Sequence, residues 1–317
     1  MKALVTGGMG FIGSHLTKAL LRDCHEVWAI DDLSTGSVSN LDDVWLHKRL
    51  HTRIGDVTDP NLIGELVDRV DVVFHLAAAV GVSLVMEHPT HTLHTNIKGT
   101  EVVLQAASKK SKRVFVASTS EVYGKSDKYP YSEEDDIMLG SATNSRWGYA
   151  CSKAIDEYLA LAYHQEKGLP VTVVRFFNTI GPGQTGRYGM VVPRFVEQAL
   201  SGEDITVYGD GNQCRCFAYV GEVVYSLINL LEIPESIGEV YNIGNDEEIS
   251  MNELAGLVKR LTGSQSKVVH VPYDQVYTQG FEDCKRRIPD ITKLYKATGA
   301  RPREALVKTL ARIIADE

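Results

Sequence analysis

No two of the five cysteines, at positions 24, 151, 214, 216 and 284, have CxxC spacing, and their number is odd. Such a scattered set argues against a disulfide framework and for free thiols in a reducing cytoplasm. Cys214 and Cys216 share one face of a strand-like stretch, but no His or further Cys stands beside them, so no metal is expected. No run of about 18 apolar residues occurs, which argues against a membrane-spanning helix. Met1-Lys2-Ala3-Leu4-Val5 already reads as a strand, leaving no room for a signal peptide; the expected location is the cytoplasm. Basic residues are outnumbered, 33 Lys and Arg against 41 Asp and Glu, for a formal charge of -8. That balance argues against nucleic acid as the main partner. It permits a small phosphorylated ligand, which needs only a local cluster of positive charge.

What remains is an ordinary globular composition, 44% hydrophobic and 23% charged over 317 residues. The length suits one large domain or two modest ones, with a core that needs no covalent staples. The first 115 or so residues alternate β-branched runs with amphipathic stretches. Residues 2–5, 26–30, 70–75 and 113–117 read as strands; 13–22, 60–67 and 96–109 read as helices. A helix over 150–166 and a strand over 170–177 follow. This alternation predicts an α/β fold with a doubly wound parallel sheet. After Asn178 the turn-rich stretch to Gln184 breaks the pattern. Helices over 192–200, 220–231 and 250–262 then alternate with strands over 205–208 and 239–243. Ser250 and Glu253 are spaced to cap the last of these helices. The expected division is therefore a doubly wound domain over 1–177 and a smaller α/β lobe over 178–317, from which the chain is free to re-enter the first sheet. The acidic run 133–136 reads as a solvated loop.

Thr6-Gly7-Gly8-Met9-Gly10-Phe11-Ile12-Gly13 follows the first strand and opens the first helix. Gly7 permits a sharp turn, Gly10 admits a pyrophosphate to the backbone, and Gly13 lets helix pack on strand. Phe11 and Ile12 carry helix N–H groups toward the phosphates. Asp31 ends the second strand eighteen residues after Gly13, where a carboxylate accepts both hydroxyls of an adenosine ribose. Its charge would repel a 2′-phosphate, which favours NAD over NADP. Asp32 and Ser34 are assigned to the same site, Asp56 and Val57 to the adenine, and the small residues of Leu76-Ala77-Ala78 to a backbone running beside the coenzyme.

Tyr149 and Lys153 are four apart and share a helical face. A phenol of ordinary pKa near 10 is a poor base at neutral pH, and a neighbouring ammonium joined by a positive nicotinamide ring would stabilise its anion. Ser118-Thr119-Ser120-Glu121 ends the strand at 113–117, where a hydroxyl can meet a substrate alcohol.

Together these motifs resemble the extended short-chain dehydrogenase/reductase family, and within it the nucleotide-sugar epimerases and dehydratases, over nearly the whole chain. The resemblance implies Thr119, Tyr149 and Lys153 as catalytic residues. It also implies a homodimer, formed through the helices after Asn96 and around Tyr149. In the second lobe, Asn178, Val192, Val207, Tyr208 and Arg215 match segments that close over a nucleotide diphosphate, taken as UDP; Arg286 and Arg287 match the region of a second diphosphate contact, which is assigned to Arg286. Substrate contacts are also assigned to Ser120, Glu121 and Arg146. The related dehydratases carry an Asp where Ser120 stands, which disfavours dehydration. Residues 119–124 and Arg146 are similar to UDP-glucuronate decarboxylases, whereas the loop at 80–86 resembles epimerases. The expectation is a retained NAD and 4-epimerisation of a UDP-hexose or UDP-hexuronate through a transient 4-keto sugar. Decarboxylation of UDP-glucuronate through the same intermediate stands second, and a non-catalytic NAD-binding relative third.

Overall fold

The β-branched runs of the first half have nearly all their side chains buried, as strands covered on both faces require. In the computed structural model, which describes residues 1–186, 189–277 and 284–317 (the side chains of Val82 and Ser83 excepted), thirteen strands and ten helices are assigned. The strands are β1 (Lys2–Thr6), β2 (Glu26–Asp31), β3 (Leu50–Ile54), β4 (Val72–His75), β5 (Arg113–Thr119), β6 (Val171–Phe176), β7 (Thr179–Ile180), β8 (Ile205–Tyr208), β9 (Cys214–Cys216), β10 (Ala218–Tyr219), β11 (Glu239–Ile243), β12 (Glu248–Ser250) and β13 (Val268–Val271). The helices are α1 (Phe11–Arg22), α2 (Pro60–Asp68), α3 (Val82–Glu87), α4 (Pro89–Ser108), α5 (Gly148–Lys167), α6 (Val191–Ser201), α7 (Val220–Leu231), α8 (Met251–Thr262), α9 (Thr292–Thr298) and α10 (Leu306–Asp316).

Seven strands form one sheet in the order β11-β6-β5-β4-β1-β2-β3, with every neighbouring pair parallel. This is the doubly wound α/β fold expected. The winding reverses between β1 and β4, and the crevice outside their carboxyl ends is where such sheets take ligands. Two apolar layers sandwich the sheet. Leu16, Leu20, Val223, Leu227 and Leu294 pack on one face, and Ile63, Val67, Val103, Ala107 and Ala160 on the other. β11 lies beyond residue 178 yet pairs with β6 from Glu239↔Thr172 to Ile243↔Phe176, so the chain returns to the sheet. The remaining late elements enclose a separate cluster around Phe195, Val196, Leu254, Val258 and Leu310. Among the described residues, no helix is long and apolar enough to cross a membrane.

Candidate active site

The turn between β1 and α1 lies at the winding reversal. Gly7 has φ +68, and a Cβ on Gly13 would stand 1.9 Å from the Gly7 carbonyl oxygen, so only glycine lets α1 begin this close to the turn. No side chain caps α1. Its first N–H groups and positive dipole end therefore face the cleft that Gly7, Gly10, Phe11, Ile12 and Gly13 line. Asp31 closes the cleft at the end of β2, accepting the Met9 and Leu33 N–H groups at 3.0 and 2.9 Å. Burial raises its pKa, and those two N–H groups pull against the rise. Asp32 and Ser34 line the same wall, the Ser34 hydroxyl donating to Asp32 Oδ1 at 2.6 Å. Val57, Leu76, Ala77 and Ala78 complete a cavity of about 340 Å³. A helix N-terminus for phosphates, a carboxylate for a ribose and a wall of small side chains fit a dinucleotide. Asp56 is a correction: it is exposed and turned onto its own loop, accepting the Thr58 N–H at 2.8 Å, so only Val57 of that pair reaches the cavity.

Strand β5 and helix α5 bring Thr119, Tyr149 and Lys153 to the same cavity. Tyr149 and Lys153 are both buried, and the Thr119 hydroxyl is in hydrogen-bonding contact with the phenol. The electrostatics differ from the sequence expectation. Burial raises the Tyr149 pKa above that of an ordinary phenol, Glu121 adds to the rise, and the Thr119 contact only partly opposes it. The Lys153 ammonium meanwhile donates to Asp156 Oδ2 at 2.7 Å. Lys153 by itself therefore does not bring the phenol into the neutral range.

Beyond Tyr149 the cleft continues into a second cavity of about 220 Å³, lined by Glu121, Arg146, Asn178, Val192, Tyr208 and Arg215 among others. Asn178 takes a positive φ of 28 and its side chain donates to the Cys216 carbonyl at 3.0 Å, which ties this corner to the second lobe. Glu121 lies between two guanidinium groups, forming ion pairs with Arg146 and, at 3.3 Å, with Arg287. Burial alone would raise its pKa, but Arg146 and then Arg287 outweigh that and hold it at about 2. Ser120 is buried and faces the coenzyme cavity.

Two further assignments fail, both in the second lobe. Val207 is a core residue with no exposure, packed in the second-lobe cluster, because its strand alternation turns Tyr208 and not Val207 toward the cavity. Arg286 lies outside, bound to Glu248 through two contacts at 3.0 and 2.5 Å, and its neighbour Arg287 lines both cavities. Sequence reading also passed over Arg194, Tyr273 and Tyr277. These form an aromatic corner with Tyr208, the Arg194 guanidinium lying 3.9 Å from the Tyr208 ring centre and Tyr277 meeting that ring edge-on. Their signal was the tyrosine spacing at 273 and 277, which no motif flagged.

Fold and site define a doubly wound, dinucleotide-binding protein with a Tyr–Lys pair beside the coenzyme cleft. The model of the NAD dependent epimerase/dehydratase family matches residues 3–244, and the chain belongs to that family. NAD is its cofactor. The chain is 45% identical, over 92% of its length and 90% of the relative's, to UDP-N-acetyl-alpha-D-glucosaminuronate decarboxylase of Bacillus cytotoxicus. It is 37% identical to UDP-glucuronic acid decarboxylase 1 of Xenopus tropicalis, over 98% of this chain and 71% of that one. Among solved structures, the UDP-glucose 4-epimerase of Thermotoga maritima with UDP-glucose superposes with a TM-score of 0.89 at 31% identity, covering 100% and 98% of the two chains. A dTDP-glucose 4,6-dehydratase of Streptomyces venezuelae with NAD gives 0.90 at 32%, covering 99% and 96%.

Proposed function

We propose that this enzyme decarboxylates a UDP-linked hexuronate through a 4-keto sugar, with NAD retained. The comparisons favour this reading over the 4-epimerisation expected first, because the curated relatives at 45% and 37% identity are both uronate decarboxylases. One observation carries it: Arg146 and Arg287 stand together at the sugar end of the cleft, next to Tyr149, with Glu121 between them. A guanidinium has five N–H donors in a rigid fork, so each can meet a sugar carboxylate while still touching Glu121. A neutral hexose offers these guanidinium groups only hydroxyl oxygens, whereas a uronate adds a counter-charge with two acceptor oxygens.

When bound, NAD supplies the acceptor, and afterwards the donor, of one hydride at sugar C4. Tyr149 takes the proton of the C4 hydroxyl, and Thr119 orients that hydroxyl by a hydrogen bond. The resulting ketone lies β to the C6 carboxylate, so the C5–C6 bond breaks with its electron pair moving toward the C4 oxygen, and CO2 leaves. Tyr149 and Thr119 hold that oxygen as charge develops on it. One proton from solvent reaches C5, and Tyr149 would give its proton back to O4 as C4 returns to the alcohol, so each turnover takes up one proton and releases one CO2. Gly10 and the first turn of α1 would hold the coenzyme phosphates, and Asp31 its ribose. Arg215 and Tyr208 stand where a nucleotide diphosphate would extend. The reading includes a homodimer through α4 and α5, where Tyr158 and Ile155 are exposed.

The deciding experiment offers UDP-glucose, UDP-N-acetylglucosamine, UDP-glucuronate and UDP-N-acetylglucosaminuronate separately, with NMR of the products and a CO2 assay. Release of CO2 from a uronate, with a pentose product and no net NADH, is expected. Interconversion of C4 epimers without CO2 would return the assignment to epimerisation.

A further inference from the structure

We infer that Asp156 is a positioning residue for the Tyr149 base: it pins the Lys153 ammonium and offsets the charge that ammonium would otherwise exert on the phenol. The inference rests on the reading of Tyr149 as the base.

Helix α5 carries Tyr149, Lys153 and Asp156 on its inward side, and all three are buried. The Lys153–Asp156 pair is 2.7 Å apart with side chains 3% and 0% exposed, far drier than an ordinary i,i+3 surface pair. A charge kept that far from water persists only against a partner. The other neighbours of Asp156 do not neutralise it. Thr100 of α4 touches it through a hydroxyl that also bonds His75 Nε2 at 3.0 Å. His75, anchored on Thr6 at 2.9 Å, has its pKa lowered to about 3 by burial and then by Lys153, so its imidazole is neutral. Glu157, next along the helix, is bound by Arg175 of β6 through contacts at 2.9 and 2.7 Å. Lys153 is the cation that Asp156 meets.

Around Tyr149 the other charged groups face it from different elements: Glu121 after β5, Arg146 before α5, and Arg287, which bonds Glu121. An ammonium closely paired with a carboxylate acts at a distance as a dipole, whose field falls faster than that of a lone charge. The phenol therefore keeps its proton until a further positive charge joins Lys153, and Asp156 sets that threshold.

The test titrates the near-ultraviolet phenolate band of NAD-loaded Asp156→Asn, with Tyr149→Phe in the same background as blank. No sugar is needed. Loss of the carboxylate is expected to make Tyr149 ionise about one pH unit or more below wild type. The acid limb of kcat/KM should move the same way, and Asp156→Glu should bring both back. Asp156→Ser removes the same charge with less bulk and serves if the Asn variant fails to fold. A titration that stays in place or rises in a folded, charge-removed variant overturns the proposal. If Tyr149→Phe keeps its turnover, the base assignment falls, whereas a moved phenolate band still supports the effect of Asp156.

Discussion

In the proposed reaction Tyr149 is the base, and removing its hydroxyl alone is the cleanest probe. Tyr149→Phe is expected to lower kcat about 10³-fold, the scale of a lost general base. Binding of UDP-sugar by calorimetry should hold, because the ring still fills its place. Glu121 gives a pH prediction. Its carboxyl is held at about 2 by Arg146 and Arg287 against an ordinary value of 4.5. A depressed folded pKa means stability that is complete above about 4.5 and lost as pH falls through about 2. The Tm gap between wild type and Glu121→Gln should therefore be flat near neutrality and narrow steadily below pH 4.5. A gap unchanged down to pH 3 would contradict the ion-pair geometry. At this scale the sequence was legible where a motif fixes direction as well as identity: Gly13 and Tyr149 lie where spacing placed them. It was illegible where two like residues adjoin. Nothing in Arg286-Arg287 says which turns inward, since that depends on Glu248, brought alongside by β12 pairing with β9.

Among the elements, helix boundaries explain the main misreadings. Helix α4 begins at Pro89 and not near residue 96, with the proline at its first position, where a missing N–H costs nothing. That earlier start carries His91 and Thr95 into the coenzyme cavity, residues that no motif had placed there. The loop at 80–86 contains the short helix α3, too brief for periodicity to reveal. By contrast the cap of α8 was readable. Ser250 accepts the Glu253 N–H at 3.2 Å while Glu253 reaches back to the Ser250 N–H at 2.9 Å. Ser250→Ala should lower stability by about 1 kcal/mol in chemical denaturation. The Glu157–Arg175 pair, 4% and 6% exposed, braces α5 against β6. Glu157→Gln leaves a buried guanidinium without its counter-charge and should cost about 3 kcal/mol or more by the same measurement.

For the whole molecule, the proposed reaction has a signature that no single residue provides. Breaking C5–C6 of a uronate consumes one proton per turnover, so an unbuffered reaction should turn alkaline as CO2 is purged. Epimerisation would leave the pH still. Purified protein is expected to show NAD on denaturation and extraction, since the hydride removed from a sugar must return to it. The acidic surface and doubly wound sheet were visible in composition and pattern, while the choice between sister reactions was not. Both reactions as proposed would use Thr119, Tyr149 and Lys153, so the motifs that located those residues do not separate them, and the pairing of Arg146 and Arg287 around Glu121 emerges only from the fold.

The late return of β11 to the sheet has a practical meaning for anyone dividing this chain. A fragment ending at residue 177 would leave β6 as a bare hydrophobic edge and strip Val223, Leu227 and Ile243 from the layer that shields it. Such a piece is expected to aggregate on expression. Reporter insertions and split versions belong elsewhere, because the last seam of the first half is sewn with thread from the second.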